Sequence, residues 1–205
     1  MVWCVMYQRF WKRVIDIVLS GIGIVILCIP MFVIAIAIKL DSPGTVLFRQ
    51  ERVGKYKSPF TILKFRSMYS NTPKNVPTHQ LSDATNHITK IGSFLRKTSL
   101  DELPQLFCIF IGSMTIIGPR PALFNQEDLL AERDKYGAND VKPGLTGLAQ
   151  IRGRDELPIE VKAALDGEYV KKMSFWFDVK IFFGTIISVL RQDGVAEGKQ
   201  NGIPM

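Results

Sequence analysis

Histidine is nearly absent from this 205-residue chain: only His79 and His87 occur, eight positions apart in a polar stretch. Cysteine is scarce too. Cys4, Cys28 and Cys108 each have apolar neighbours, and no two are spaced as ligands. This pattern argues against a zinc site and a disulfide framework, and leaves the thiols as small hydrophobes. No Walker loop is present, since Lys142-Pro143-Gly144-Leu145-Thr146-Gly147 lacks both the spacing and the closing Gly-Lys-Ser/Thr. No internal repeat is seen. The apolar N-terminal stretch is not expected to be a secretory leader, because it is too long and no small-residue cleavage site follows it.

Cations and concentrated apolar residues are what the chain does have. Lys and Arg total 26 against 19 Asp and Glu, for a formal charge of +7. The isoelectric point is about 9.4. This balance suits nucleic acid, anionic lipid or phosphorylated substrates. Mean hydropathy is +0.13 despite 22% charged residues, so the apolar excess is local. Residues 17–38 carry no charge. As a helix they would reach about 33 Å, enough to cross a bilayer. Pro30 lies inside the run and predicts a kink or break there. Arg9, Lys12 and Arg13 precede the run, while Lys39, Arg49, Arg52, Lys55 and Lys57 follow it. A spanning anchor is expected to have one cationic flank, so cationic flanks on both sides weigh against it and fit a hairpin that returns to the same face; both readings stand at this point.

Length and pattern predict an α+β, mainly helical protein. Residues 1–40 are expected as a membrane element and residues 41–205 as a small cytosolic or interfacial globular domain. Residues 46–48 and 60–65 are expected as short strands around a turn at 54–58. Residues 70–87 are expected as a long surface loop, either inert or serving as a lid. Two helical pieces are expected within 91–111, meeting near Thr98-Ser99. Charged helices are expected over 125–136 and 161–172. Residues 174–190 combine many aromatics with Asp178 and Lys180, which predicts an interfacial amphipathic helix or a core helix.

Asp101 and Glu102 are adjacent in Ser99-Leu100-Asp101-Glu102-Leu103-Pro104. Two readings stand. Ser99 to Glu102 matches a capping box, with Asp101 placed to complement a helix dipole. Alternatively, an aspartate can attack phosphorus while its neighbour points elsewhere to bind a divalent ion or handle protons. Gly118-Pro119-Arg120-Pro121 holds Arg120 between two prolines, which suits a fixed guanidinium that recognises phosphate. The glycines of 142–147 permit close backbone approach, and their N–H groups suit an anion cradle. Lys64, Arg66, Arg96, Lys97, Arg152 and Arg154 complete the basic set.

These motifs together resemble the monotopic polyprenyl-phosphate phosphoglycosyl transferases of the small single-domain type, a bacterial sugar transferase family. The resemblance runs from about Phe10 to Leu190. It is carried by Lys12-Arg13 with Asp16, Phe48-Arg49-Gln50 with Arg52 and Gly54, and Lys64-Phe65-Arg66-Ser67-Met68. The stretch from Arg96 to Leu106 follows, then Gly118-Pro119-Arg120-Pro121 and the stretch from Lys142 to Gln150. Gly153-Arg154, Asp166, Tyr169-Val170, Ser174 and Asp178 complete it.

The resemblance implies transfer of a phosphosugar from a UDP-sugar to polyprenyl (undecaprenyl) phosphate, with release of UMP, as the initiating step of glycoconjugate assembly. Asp101 would be the nucleophile and Glu102 its assistant. Both would be Mg²⁺ ligands, Mg²⁺ being the implied cofactor. Arg120, Lys64, Arg96, Arg154 and Gln150 would bind substrate or phosphate. The implied membrane element is a re-entrant helix-break-helix at Pro30. The implied location is the cytosolic face of the bacterial inner membrane, in contact with its lipids and without nucleic acid; a homo-oligomer is compatible with it.

The chain departs from the family at Ile29, where serine is common before the proline, at Cys108, where asparagine is common, and at Ile111, where a charge is common. The competing reading is a non-catalytic, membrane-anchored adaptor for anionic lipid. A nucleic-acid binder would need a basic helix or exposed stacking aromatics.

Overall fold

The computed structural model describes residues 6–73, 84–153 and 157–191. A π-helical turn, Tyr7–Trp11, leads directly into helix α1, Lys12–Asp41. At 30 residues, α1 is about 45 Å long. It is the one helix among the described residues long and apolar enough to cross a membrane. Of the kink or break expected at Pro30, the break does not occur: the backbone stays helical through it. Proline removes a single donor, and the turns on either side keep their own bonds.

One stripe of α1 faces the protein. Lys12, Asp16, Ser20, Met31 and Ile38 are buried. The opposite stripe, including Ile22, Val25, Ile29, Phe32, Val33 and Ile36, is exposed. The helix stops where Ser42 turns extended ahead of Pro43-Gly44. Arg66 closes that end: Nη2 donates to the oxygens of Ile38 and Ser42 at 3.3 and 2.7 Å, and Nη1 to Pro43 O at 2.7 Å. Arg66, part of the basic inventory in sequence, is thus a structural fastener.

Strands β1, Leu47–Val53, and β2, Pro59–Phe65, form an antiparallel hairpin pairing Leu47 with Phe65 and Val53 with Pro59. The first strand extends beyond the expected 46–48, through residues whose charges hid it. Gln50 is buried in it, and its Oε1 accepts two bonds from Arg52. Met68 bridges Ile88 across the 70–87 region. Much of the expected loop, residues 74–83, lies outside the described residues.

Helices α2, Lys90–Lys97, and α3, Gln105–Ile111, are the two pieces expected around Thr98-Ser99. Strand β3, Thr115–Ile117, pairs in parallel with β4, Gly144–Thr146. Helices α4, Glu127–Asp134, α5, Leu148–Arg152, α6, Ile159–Lys172, and α7, Phe175–Arg191, complete the chain. The content is mainly helical with small sheets, as expected.

Both ends of α1 join the body. Asp16 accepts from Thr115 Oγ1 at 2.7 Å and Ile116 N at 2.9 Å. Asp178 on α7 accepts from Tyr7 and Lys12 at 2.6 and 2.5 Å, and Tyr169 Oη lies 2.9 Å from its other oxygen. Met31 and Ile38 pack with Phe65 and Leu95 near the other end. Between the ends, Gly21 and Gly23 admit Phe110 and Leu106 of α3. The lysine, aspartates and tyrosine of the sequence motifs therefore anchor α1.

Candidate active site

Ser99 separates α2 from a short 3₁₀ turn, Leu100–Glu102, and takes a left-handed conformation with φ 57° and ψ 16°. A non-glycine residue there carries backbone strain, which recurs at functional sites. The capping-box reading fails here. Ser99 makes no side-chain cap bond, and Glu102 reaches away from it. Lys64 Nζ, from β2, lies 2.7 Å from Glu102 Oε1, and Arg120 Nη2 lies 3.2 Å from the same oxygen. Both cations hold one oxygen, so Oε2 has no bond among the described residues.

Asp101 differs. Its exposure is 8%, yet its carboxylate makes no hydrogen bond or ion pair among the described residues. Burial pushes this carboxyl above the ordinary aspartate range, and the Glu102 charge adds to the rise. Lys64, Arg96 and Arg120 pull against it. For Glu102, burial opposes ionisation, but Lys64 and Arg120 outweigh it and hold the carboxyl down to about 2. The pair thus offers one fixed anion and one buried carboxylate with no direct partner among the described residues, both under the influence of nearby cations.

Arg96, at the end of α2, acts on Asp101 through its charge, and its buried Nε has no hydrogen-bond partner. Arg120 is partly exposed on a segment locked by backbone. Gly118 N donates to Thr146 O, and Gly144 N donates to Pro119 O, both at 2.8 Å. A Cβ at Gly144 would lie 2.2 Å from Gly118 N, and one at Gly147 would lie 2.1 Å from Gly118 O. The close approach anticipated for these glycines is therefore to the chain's own backbone, and the Gly144 N–H is not free for an anion.

Gln150 sits beside this crossing. It donates from Nε2 to Leu145 O at 3.0 Å, while its buried Oε1 has no partner. Nothing described brings it against the carboxylates. Arg154 lies outside the described residues. Of the expected site residues, the structure gathers Asp101, Glu102, Lys64 and Arg120, with Arg96 adjacent in charge. A cavity of about 400 Å³ opens elsewhere, beside Pro43, Tyr69 and His87, and holds none of these groups. No cluster of three or more potential metal-ligating side chains occurs among the described residues.

The model for bacterial sugar transferases matches residues 7–192. The chain is 42% identical to an Escherichia coli (strain K12) UDP-glucose:undecaprenyl-phosphate glucose-1-phosphate transferase over 186 residues, 87% of this chain and 40% of that protein. It is 39% identical to a Caulobacter vibrioides protein of the same name, covering 89% of this chain and 70% of the other. It is 38% identical to an Erwinia amylovora UDP-galactose-lipid carrier transferase, covering 91% and 42%. It spans about two fifths of the length of the first and third of these relatives. The match covers the strained turn with its two carboxylates, the cations around it and the helix behind it, and on that extent the chain belongs to the bacterial sugar transferase family.

Proposed function

We propose that this protein transfers a phosphosugar from a UDP-sugar to polyprenyl phosphate through a covalent intermediate on Asp101. The observation that carries the reading is the buried Asp101 carboxylate, which has no direct partner among the described residues and lies within the electrostatic reach of Lys64, Arg96 and Arg120. A carboxylate kept from water and from a fixed ion pair is available as a nucleophile. The cations that surround it neutralise an incoming diphosphate.

In the first step an Asp101 oxygen bonds to the β-phosphorus of the donor. The bond from that phosphorus to the bridging oxygen breaks, and UMP leaves with the oxygen and its electron pair. In the second step a phosphate oxygen of the polyprenyl acceptor bonds to the same phosphorus. The acyl-phosphate bond breaks, Asp101 regains its carboxylate, and the polyprenyl diphosphate sugar departs. Lys64 and Arg120 orient the donor phosphates and fix Glu102.

The residues fit Mg²⁺. Glu102 Oε2 and both Asp101 oxygens have no bond among the described residues, and Mg²⁺ often takes one or two carboxylates with substrate phosphates. When bound, the ion would supply charge neutralisation of the diphosphate.

The polyprenyl acceptor places the reaction at a membrane, the cytosolic face of the bacterial inner membrane in this reading. Support comes from α1. One body holds it near both ends, through Asp16 and through Arg66, and its outer stripe is apolar. A polar body fastened at both ends cannot sit on two sides of a bilayer, so α1 enters the lipid and stays on, or returns to, one face. Phe107, Phe110 and Ile111 on α3 and Trp176, Phe183 and Leu190 on α7 add exposed apolar surface.

The test is donor without acceptor. The protein should release UMP, retain a phosphosugar mass on Asp101, and lose that mass when polyprenyl phosphate is added. An adduct on another residue would remove Asp101 as the nucleophile, and turnover with no adduct would sink the covalent route.

A further inference from the structure

We propose that Arg13 and Lys142, at the carbonyl end of α3, form a site for the headgroup phosphate of an anionic phospholipid. The proposal takes the membrane-facing surface described above as given. Lys142 is partly buried, and its ammonium has no hydrogen bond or ion pair among the described residues. Arg13 donates to Ile109 O at 2.6 Å and Phe110 O at 2.7 Å, and it too has no carboxylate partner there. A Cβ placed at Gly112 would lie 3.0 Å from Arg13 Nη2 and 3.5 Å from Lys142 Nζ, so the two cations flank one point.

The α3 carbonyls offset part of the Arg13 charge, but no acid among the described residues pairs with Lys142, and a bound anion between the two cations would compensate both. Burial lowers the Lys142 pKa, and Arg13 and Lys55 lower it further. Asp16 opposes them, and its two oxygens already hold Thr115 Oγ1 and Ile116 N.

The surroundings favour a lipid over a free ion. Ile111 is 74% exposed and Phe110 46%, immediately before Gly112. Phe10 and Trp11 are exposed just ahead of Arg13. Cations beside exposed apolar and aromatic side chains make a surface suited to anionic headgroups. The site lies at the opposite end of α3 from the 3₁₀ turn that carries Asp101.

Flotation of the full chain compares phosphatidylcholine vesicles with an equal mixture of phosphatidylcholine and phosphatidylglycerol. The mixed vesicles should bind at least about tenfold more tightly. Lys142→Gln should remove most of that preference, and Lys142→Arg should restore it. Lys57→Gln makes the same charge change at an exposed pair with Asp134 and should leave the preference in place. Equal losses in Lys142→Gln and Lys57→Gln would reduce the effect to bulk charge and overturn the site. Inorganic phosphate that competes at the lipid's own concentration would assign the site to free phosphate, with the same consequence. Failure to float on any vesicle would remove the membrane reading itself; flotation without headgroup preference removes only this site. A photoactivatable phosphatidylglycerol on the unmodified chain keeps the question decidable if a variant misfolds. Adducts should fall on residues 110–113 or on Lys142, and adducts confined elsewhere refute the assignment.

Discussion

Glu102 and Asp101 are chain neighbours with opposite electrostatics: Lys64 and Arg120 grip Glu102 through one oxygen, while Asp101 is buried without a bond among the described residues. Glu102, held at about 2, stays ionised across any working pH. Asp101 is raised above its ordinary 3.8, so the nucleophile loses its charge at a higher pH than an exposed aspartate would. Donor cleavage should therefore fall on the acid side, along a limb displaced upward from 3.8. Lys64 lowers the Asp101 value, so Lys64→Met should move the limb to still higher pH. Single-turnover UMP release against pH checks both, and a limb unmoved by Lys64→Met would detach Lys64 from the nucleophile.

Asp101→Asn should separate activity from stability. A carboxyl whose folded-state pKa is raised costs stability once the pH exceeds its unfolded value, and the full cost is present above the folded one. At neutral pH the amide removes that cost. We expect thermal stability equal to or above the parent chain, with turnover lower by more than about a thousandfold. A helix-dipole role would give the reverse: a loss of up to about 1 kcal/mol with activity kept.

Ser99 gives a third test. Its left-handed backbone costs about 1 kcal/mol for a residue with a Cβ, a cost that glycine avoids. Ser99→Gly should stabilise by up to about 1 kcal/mol. Ser99→Val should destabilise by more than that and lower turnover, because the turn it distorts carries Asp101. A capping role would instead make Ser99→Ala cost about 1 kcal/mol. Urea titration of the three variants decides.

Much of this site was legible because its chemistry is local. The acid pair, the proline-bracketed Arg120 and the Lys64 segment are short motifs, and the helices were visible in their periodicity. What stayed hidden depends on contacts far apart in sequence. The capping box is a sound local pattern, but Glu102 found a stronger partner in Lys64, 38 positions away. The glycines of 142–147 suit a ligand cradle as well as a backbone crossing, and only Gly118 decides between them. Strands β3 and β4 have three residues each, too short for any alternation to register. Pro30 is compatible with a kink as well as a break, and a helix with packed ends carries it without a break.

Arg120→Lys should lower turnover by at least roughly tenfold, equivalent to about 1.4 kcal/mol. Lysine keeps the charge but has no planar fork to hold Glu102 Oε1 and a phosphate at once. Initial rates with donor and acceptor varied independently provide the check. Unchanged kinetics would leave Arg120 as a rigid turn residue.

The topology of α1 follows from where its ends are fastened. Asp16 is held by Thr115 and Ile116, and the backbone at Ser42 by Arg66, all parts of one body. Arg9 before the helix and Thr45 after it are both exposed, so both should lie on one side of the membrane. In a cysteine-free background, Arg9→Cys and Thr45→Cys should resist an impermeant thiol reagent in intact cells and react equally after permeabilisation. A spanning anchor would leave one of them reactive in intact cells. Because Arg66 meets the end of α1 with a buried guanidinium, Arg66→Ala should loosen that end and raise hydrogen exchange over residues 36–44. Opposite accessibilities of the two cysteines would separate the ends of α1 and, with them, the single-faced placement of the whole site.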